Sequence, residues 1–237
     1  MSGALPKLNA TPTHELTIPS SGQKVSYRPY LVKEEKILLL AFESQDEKQA
    51  MQAMVDTIVA CVNEKVNTNK LTAFDVEYMF LKIRGKSIGE TVELNLMCPD
   101  DGETQVPTKI NLEDIEVSMT VGHSNMIDIT DNIKLQLRYP IYSDATQVGG
   151  LDQSDGVFKL LTRCIDKIIY GDQEYNRVDI TDKEIEEFID QLNTDQFNNI
   201  VEFFNTMPKL RHVVQITNPK TKVKSEVVLE GLQNFLE

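Results

Sequence analysis

The chain has 237 residues, 41% hydrophobic and 26% charged, with no Trp, enough apolar material for a core that needs neither disulfides nor a metal staple. Against 24 Lys and Arg stand 37 Asp and Glu, a formal charge of -13 that repels nucleic-acid phosphates and anionic membrane surfaces at long range. No apolar run approaches the ~20 residues that span a bilayer, and the opening MSGALPKLNATPTHE has no apolar signal core, so synthesis and retention in a cytosol are expected, with no nucleic acid and no membrane as partners of the isolated chain.

Residues 1–14 read as an extended polar leader. ELTIPSSGQKVSYRPYL alternates apolar and polar residues on both sides of Ser20-Ser21-Gly22, which predicts a β-hairpin ended by Pro29. KEEKILLLAFES is a good helix former with acids in its first turn. Ser44-Gln45-Asp46-Glu47 has the pattern of a capping box restarting a helix, with Met51, Met54, Val55, Ile58, Val59 and Val62 as its apolar stripe. Thr72-Ala73-Phe74-Asp75 caps a short helix lined by Phe74, Tyr78 and Leu81 and ending before Gly85. These elements make up a segment over 15–84.

Over 85–141 the period drops to two. Val92, Leu94 and Leu96 precede a CPDDG turn and a return strand towards Ile110; Ile115, Val117 and Met119, then Ile133, Leu135 and Leu137, repeat the alternation. Residues 142–156 hold Gly149-Gly150 and read as a linker or hinge. A helical block over 157–208 carries Leu161, Cys164, Ile165 and Ile168 as one stripe. A second helix follows, capped at Thr181 and bearing Ile185, Phe188, Ile189 and Leu192. A third, opened by Asn193 or Thr194, carries Phe197, Ile200, Val201 and Phe204. Residues 209–237 read as a closing hairpin about Asn218-Pro219-Lys220-Thr221 with a terminal apolar turn, and its return onto the 85–141 segment would join both ends of the chain in one unit. The expected fold class is α+β: an N-terminal β-hairpin and αα-hairpin, a central antiparallel β segment, a C-terminal helical block and the closing β-hairpin.

Cys98-Pro99-Asp100-Asp101-Gly102 has half the form of a zinc knuckle, which needs a second cysteine two residues on. The turn at Asn218 resembles it. If both turns descend from Cys-Pro-x-Cys pairs, the four ligand places hold Cys98, Asp101, Asn218 and Thr221, and one thiolate, one carboxylate, an amide and a hydroxyl make a poor zinc site. A degenerate β-turn without metal is the expectation, whether or not the turns meet in space. Cys61 and Cys164 read as reduced core thiols. No phosphate loop, GxSxG or HExxH pattern occurs, the fragments DDG and DITD read as turns and solvated loops, and His14, His123 and His212 stand apart in sequence. No catalytic residue and no cofactor is expected.

Three stretches, YRPYLVKEEKILLLA (27–41), KSIGETVELNLMCPDDG (86–102) and VVLEGLQNFLE (227–237), resemble in order and spacing the T4-like bacteriophage baseplate protein family, which includes a baseplate hub subunit. The resemblance implies a virion component of a contractile-tail baseplate, at or near the hub, working through contacts with other baseplate or hub proteins and oligomeric in assembly, built in the host cytoplasm. A second reading is an assembly chaperone for the hub, absent from the finished particle. Candidate interface residues are Tyr27, Arg28, Pro29, Tyr30, Lys33, Glu34 and Glu35 at the strand-to-helix corner and Leu232, Phe235 and Leu236 at the end of the chain. Against the interface reading of the corner stands an intramolecular one, with Arg28 paired locally and Tyr30 packed on the first helix; the terminal turn either docks on its own domain or inserts into a neighbour.

Overall fold

The computed structural model describes residues 11–144 and 153–235, and the fold is α+β. The N-terminal hairpin pairs β1 (His14–Thr17) with β2 (Lys24–Tyr27), and α1 (Val32–Glu43) and α2 (Glu47–Cys61) follow. The helix restart is capped by Asp46, whose carboxylate accepts from the Lys48 and Gln49 amides, rather than by Ser44. Of the expected α2 stripe, Met54, Val55 and Ile58 are buried, but Val59 faces solvent and Ala53, Thr57 and Cys61 complete the inner face.

The first core is built around α3 (Ala73–Ile88), nearly all of whose side chains up to Ile83 are inside. Thr72 caps it reciprocally with Asp75. The Asp75 carboxylate, fully buried, also accepts from the amide and hydroxyl of Ser20 and so ties the first hairpin turn to the start of the helix. Lys82, buried too, reaches the carbonyls of Leu112 and Glu113 and lies 5.2 Å from the centre of the Tyr78 ring. The helix does not end before Gly85. It runs on to Ile88 and stops at Gly89, whose φ of 139 only glycine adopts readily, because packing on several sides outweighs the weak propensity of one glycine.

Around α3 lie the hairpin of β3 (Thr91–Met97) with β4 (Gln105–Asn111) and a sheet ordered β11-β10-β5, made of β5 (Glu116–Ser118), β10 (Lys209–Thr217) and β11 (Lys224–Glu230). Lys209, Leu210 and Arg211 pair with Ser118, Val117 and Glu116, so the chain leaves this core along β5 and returns beside it along β10.

Between those strands a second core forms. β6 (Met126–Thr130), β7 (Ile133–Leu137), β8 (Ile165–Tyr170) and β9 (Gln173–Asn176) make a sheet in that order, and α4 (Gln153–Cys164), α5 (Asp182–Ile189) and α6 (Thr194–Thr206) accompany it. Leu135, Leu161, Ile165, Ile185, Ile200 and Phe203 are among its buried residues. The 85–141 segment therefore contributes to both cores. The helical block contains two strands: α4 stops at Cys164, and Ile165 and Ile168 belong to β8, where they complete the β-sheet face instead of continuing a helical stripe. DITD is mostly β6, with Ile129 buried, rather than a solvated loop. Met119 lies beyond the end of β5 and is exposed. Most of the expected hinge, including Gly149-Gly150, lies outside the described residues.

A Cβ on Gly85 would meet Leu112 at 3.7 Å, an ordinary contact. Gly85→Ala is therefore expected to raise stability by about 0.5–1 kcal/mol through the helix backbone, measured by urea unfolding; a loss of stability would show that α3 and Leu112 pack more tightly than this distance allows.

Candidate functional site

The two Pro-containing turns meet. At the first, the Cys98 amide donates to the Thr104 carbonyl and the Gly102 amide to the Cys98 carbonyl; at the second, the Asn218 amide donates to the Val223 carbonyl and the Lys222 amide to the Asn218 carbonyl. Gly102 and Lys222 both take φ 66, a conformation that costs Lys222 more than it costs glycine. The β1–β2 turn repeats the form, with Gly22 donating to Ile18 and Ile18 to Gln23.

Where a ribbon would hold metal, the turns are joined by hydrogen bonds. The buried Asn218 amide donates to both Asp100 oxygens at 3.1 Å and to Asp101 Oδ2 at 2.9 Å, while the Thr221 hydroxyl donates to Asp100 Oδ2 at 2.5 Å. Asn218 Oδ1 accepts from the Lys220 and Thr221 amides, so both ends of its side chain are used. The Thr221 hydroxyl, followed by Asn218, holds Asp100 below the usual carboxylate range; the Thr104 hydroxyl and amide, then Asn218, hold Asp101 well below it. Cys98 is buried beneath them, and burial together with the two carboxylates pushes its thiol up. Cys61 and Cys164 are pushed up to about 11 and about 12, burial being the main cause. Among the described residues no three His, Cys, Asp or Glu side chains are grouped to hold a metal.

The strand-to-helix corner is held from within. Tyr27 is only 2% exposed and belongs to the core, which removes its side chain from any outer contact surface. Arg28 donates to Glu34 Oε1 at 2.8 Å and to the carbonyls of Pro29 and Ala60, and the second oxygen of Glu34 accepts from the Leu31 amide. Burial raises Glu34, but the bonds from Arg28, Leu31 and Lys33 outweigh it and leave the carboxyl below its ordinary value. Tyr30 is half-buried against the core, and its amide donates to Ser87 Oγ. Lys33 is exposed and Glu35 partly so. At the other end Leu232 and Phe235 are buried in or beside the first core, as expected of a docked turn; Leu236 lies outside the described residues.

Sequence reasoning missed the outer surface of α1. Glu34, Leu38 and Ala41 form its buried face, yet Val32, Ile37, Leu39 and Leu40 are each more than half exposed, Leu40 reaching 68%. Lys33, Lys36 and Glu43 share this exposed surface, but four large apolar side chains bare on one helix exceed the scattered single exposures of an ordinary surface. The run ILLLAF carried this signal, since four apolar residues in succession cannot all face one core.

The model of one protein family, described as T4 bacteriophage base plate protein, matches residues 11–237. The chain belongs to the T4 bacteriophage base plate protein family. No curated protein and no solved structure matches it. Membership makes this chain a phage baseplate component, located in the virion tail among other structural proteins of the phage. The clasp between the turns closes the fold, whereas Val32, Ile37, Leu39 and Leu40 of α1 stay exposed.

Asn218→Ala is expected to lower the thermal midpoint by about 5 °C, because it leaves two carboxylates and two amides without their shared partner. Both carboxylates are held below their ordinary values, so their contribution is present at neutral pH and is lost as pH falls. The gap between parent and variant should hold down to about pH 4 and narrow below it; a gap that widens in acid would contradict the clasp. A second expectation tests the shape. Asp101→Cys, Asn218→Cys and Thr221→Cys together with Cys98 should take up one zinc ion per chain, measured by metal analysis after dialysis; no uptake by the folded variant would mean the turns do not point at a common centre.

Proposed function

We propose that the protein is a non-enzymatic structural subunit of a contractile-tailed phage baseplate, at or near the central hub, which acts in tail assembly through contacts with other baseplate or hub proteins. The observation that carries this reading is the apolar outer face of α1 in a chain matched to a baseplate family over residues 11–237. A permanent subunit hides such a face in the particle, whereas a chaperone that is released keeps a polar surface. The buried thiols, all three raised above their ordinary value, are poor nucleophiles. His123 is stacked on Tyr139 and packed against Phe203, with Nδ1 3.0 Å from the Thr206 hydroxyl, and serves the core. These features support a role without catalysis. The protein is made in the host cytoplasm and enters the tail as part of a larger oligomeric assembly, without contact with nucleic acid.

Quantitative mass spectrometry of purified virions beside infected-cell lysate tests this. A fixed, stoichiometric number of copies per particle is expected. Abundance in lysate with absence from particles would overturn the reading in favour of an assembly chaperone for the hub.

A further inference from the structure

Two contacts set α1 beside α3. The Phe42 and Phe80 rings meet edge to face at 6.4 Å, and the Tyr30 amide donates to Ser87 Oγ at 2.9 Å. The two helices thus run in opposite directions, the end of one near the middle of the other. Phe80, Arg84 and Ser87 follow at spacings of four and three residues, so they share one face of α3, and Arg84 sits between the two contacts. Its guanidinium is partly buried, and burial lowers its pKa. Among the described residues no carboxylate lies within ion-pair distance of Arg84 and no hydrogen bond is made by its side chain. In a chain with 37 acids against 24 bases, a half-buried cation without an anion is the unusual case. The group that faces Arg84 is the Tyr30 phenol, which carries no charge at neutral pH; Leu39 and Phe42 on α1 and Ile88, one turn beyond Arg84 on α3, are exposed.

We infer that the flank between α1 and α3 is a docking site for an apolar, helical or extended segment of another baseplate protein that carries an Asp or Glu, whose carboxylate pairs with Arg84. This deepens the reading above and rests on it for the identity of the neighbour. Leu39 and Phe42 of α1 with Ile88 of α3 supply the apolar contact, and Arg84 selects the segment: a carboxylate gains a planar, bidentate partner already stripped of part of its water, while a lysine or a second arginine meets an uncompensated positive charge. A second copy meeting this face through its own α1–α3 flank fits less well, because it would bring a second Arg84 to the contact.

The test uses the full chain with a photo-reactive phenylalanine analogue in place of Leu39, produced in infected cells, irradiated, and the cross-linked peptide sequenced by mass spectrometry. The expected product joins Leu39's position to a different polypeptide, in an apolar segment with an Asp or Glu within one helical turn of the cross-linked residue. Arg84→Gln in the same chain should lower the cross-link yield by about tenfold or more, with an unchanged thermal midpoint as proof of folding. If Arg84→Gln fails to fold, reversing the charge of the mapped acid to Lys in the partner serves instead and should give the same loss. A cross-link to a second copy, to the chain itself or to a segment without a carboxylate, no cross-link, or a yield indifferent to these changes would overturn the inference. Whether the captured polypeptide is a particle protein tests the proposed function separately: an acidic apolar segment from a protein absent from virions would keep the docking chemistry and overturn the permanent contact with a baseplate neighbour.

Discussion

The bond network of Asn218 with Asp100 and Asp101 closes the first core on itself. It joins residues 118 positions apart, so its formation must overcome the loop-closure entropy of the whole intervening chain, which grows only slowly with length. Two features reduce that cost. The β5–β10 pairing brings the ends of the second unit side by side, and the second core, with its own buried Leu135, Leu161 and Phe203, shortens the effective loop once formed. The neck between the units is short and hydrogen-bonded: the Ala73 amide donates to Pro140, the Tyr142 amide to Leu71, and the Tyr142 hydroxyl to Gln52.

The same constraint explains the polar character of the clasp. A ribbon hairpin pair held by zinc derives its stability from thiolate bonds; here the donor set is an amide, a hydroxyl and two carboxylates, which satisfy one another without a metal and remain anchored by backbone amides. Because each carboxylate accepts several hydrogen bonds, the network is sensitive to acid and not to redox conditions.

With the ends so fixed, α1 is held by a narrow inner face. Glu34, Leu38 and Ala41 point inward, and the Glu34–Arg28 pair pins the helix start at the corner below Tyr27. Apart from the partly exposed Glu35, the rest of the helix is exposed. Val32, Ile37, Leu39 and Leu40 lie outside that inner face, and burying such apolar surface is favourable by roughly 25 cal/mol per Å2.

The alternating strands, the capped helix starts at Thr72, Thr181 and Asn193 and the closing hairpin were legible in the sequence because each rests on local chemistry: side-chain period, a capping hydroxyl or amide, a Pro-containing turn. The likeness to the baseplate family was also readable there. What depended on distance in space was not. Helix α3 passes through Gly85 because its neighbours enclose it, and Ile165 and Ile168 change from helix to strand because β7 offers a partner for β8; propensity is a weak prior against either. That Asn218 reaches Asp100, that Tyr27 lies inside while Leu40 lies outside, and that Arg84 meets no counter-ion among the described residues were decided only by tertiary structure, since the residues involved are brought together or kept apart by packing that no local pattern encodes.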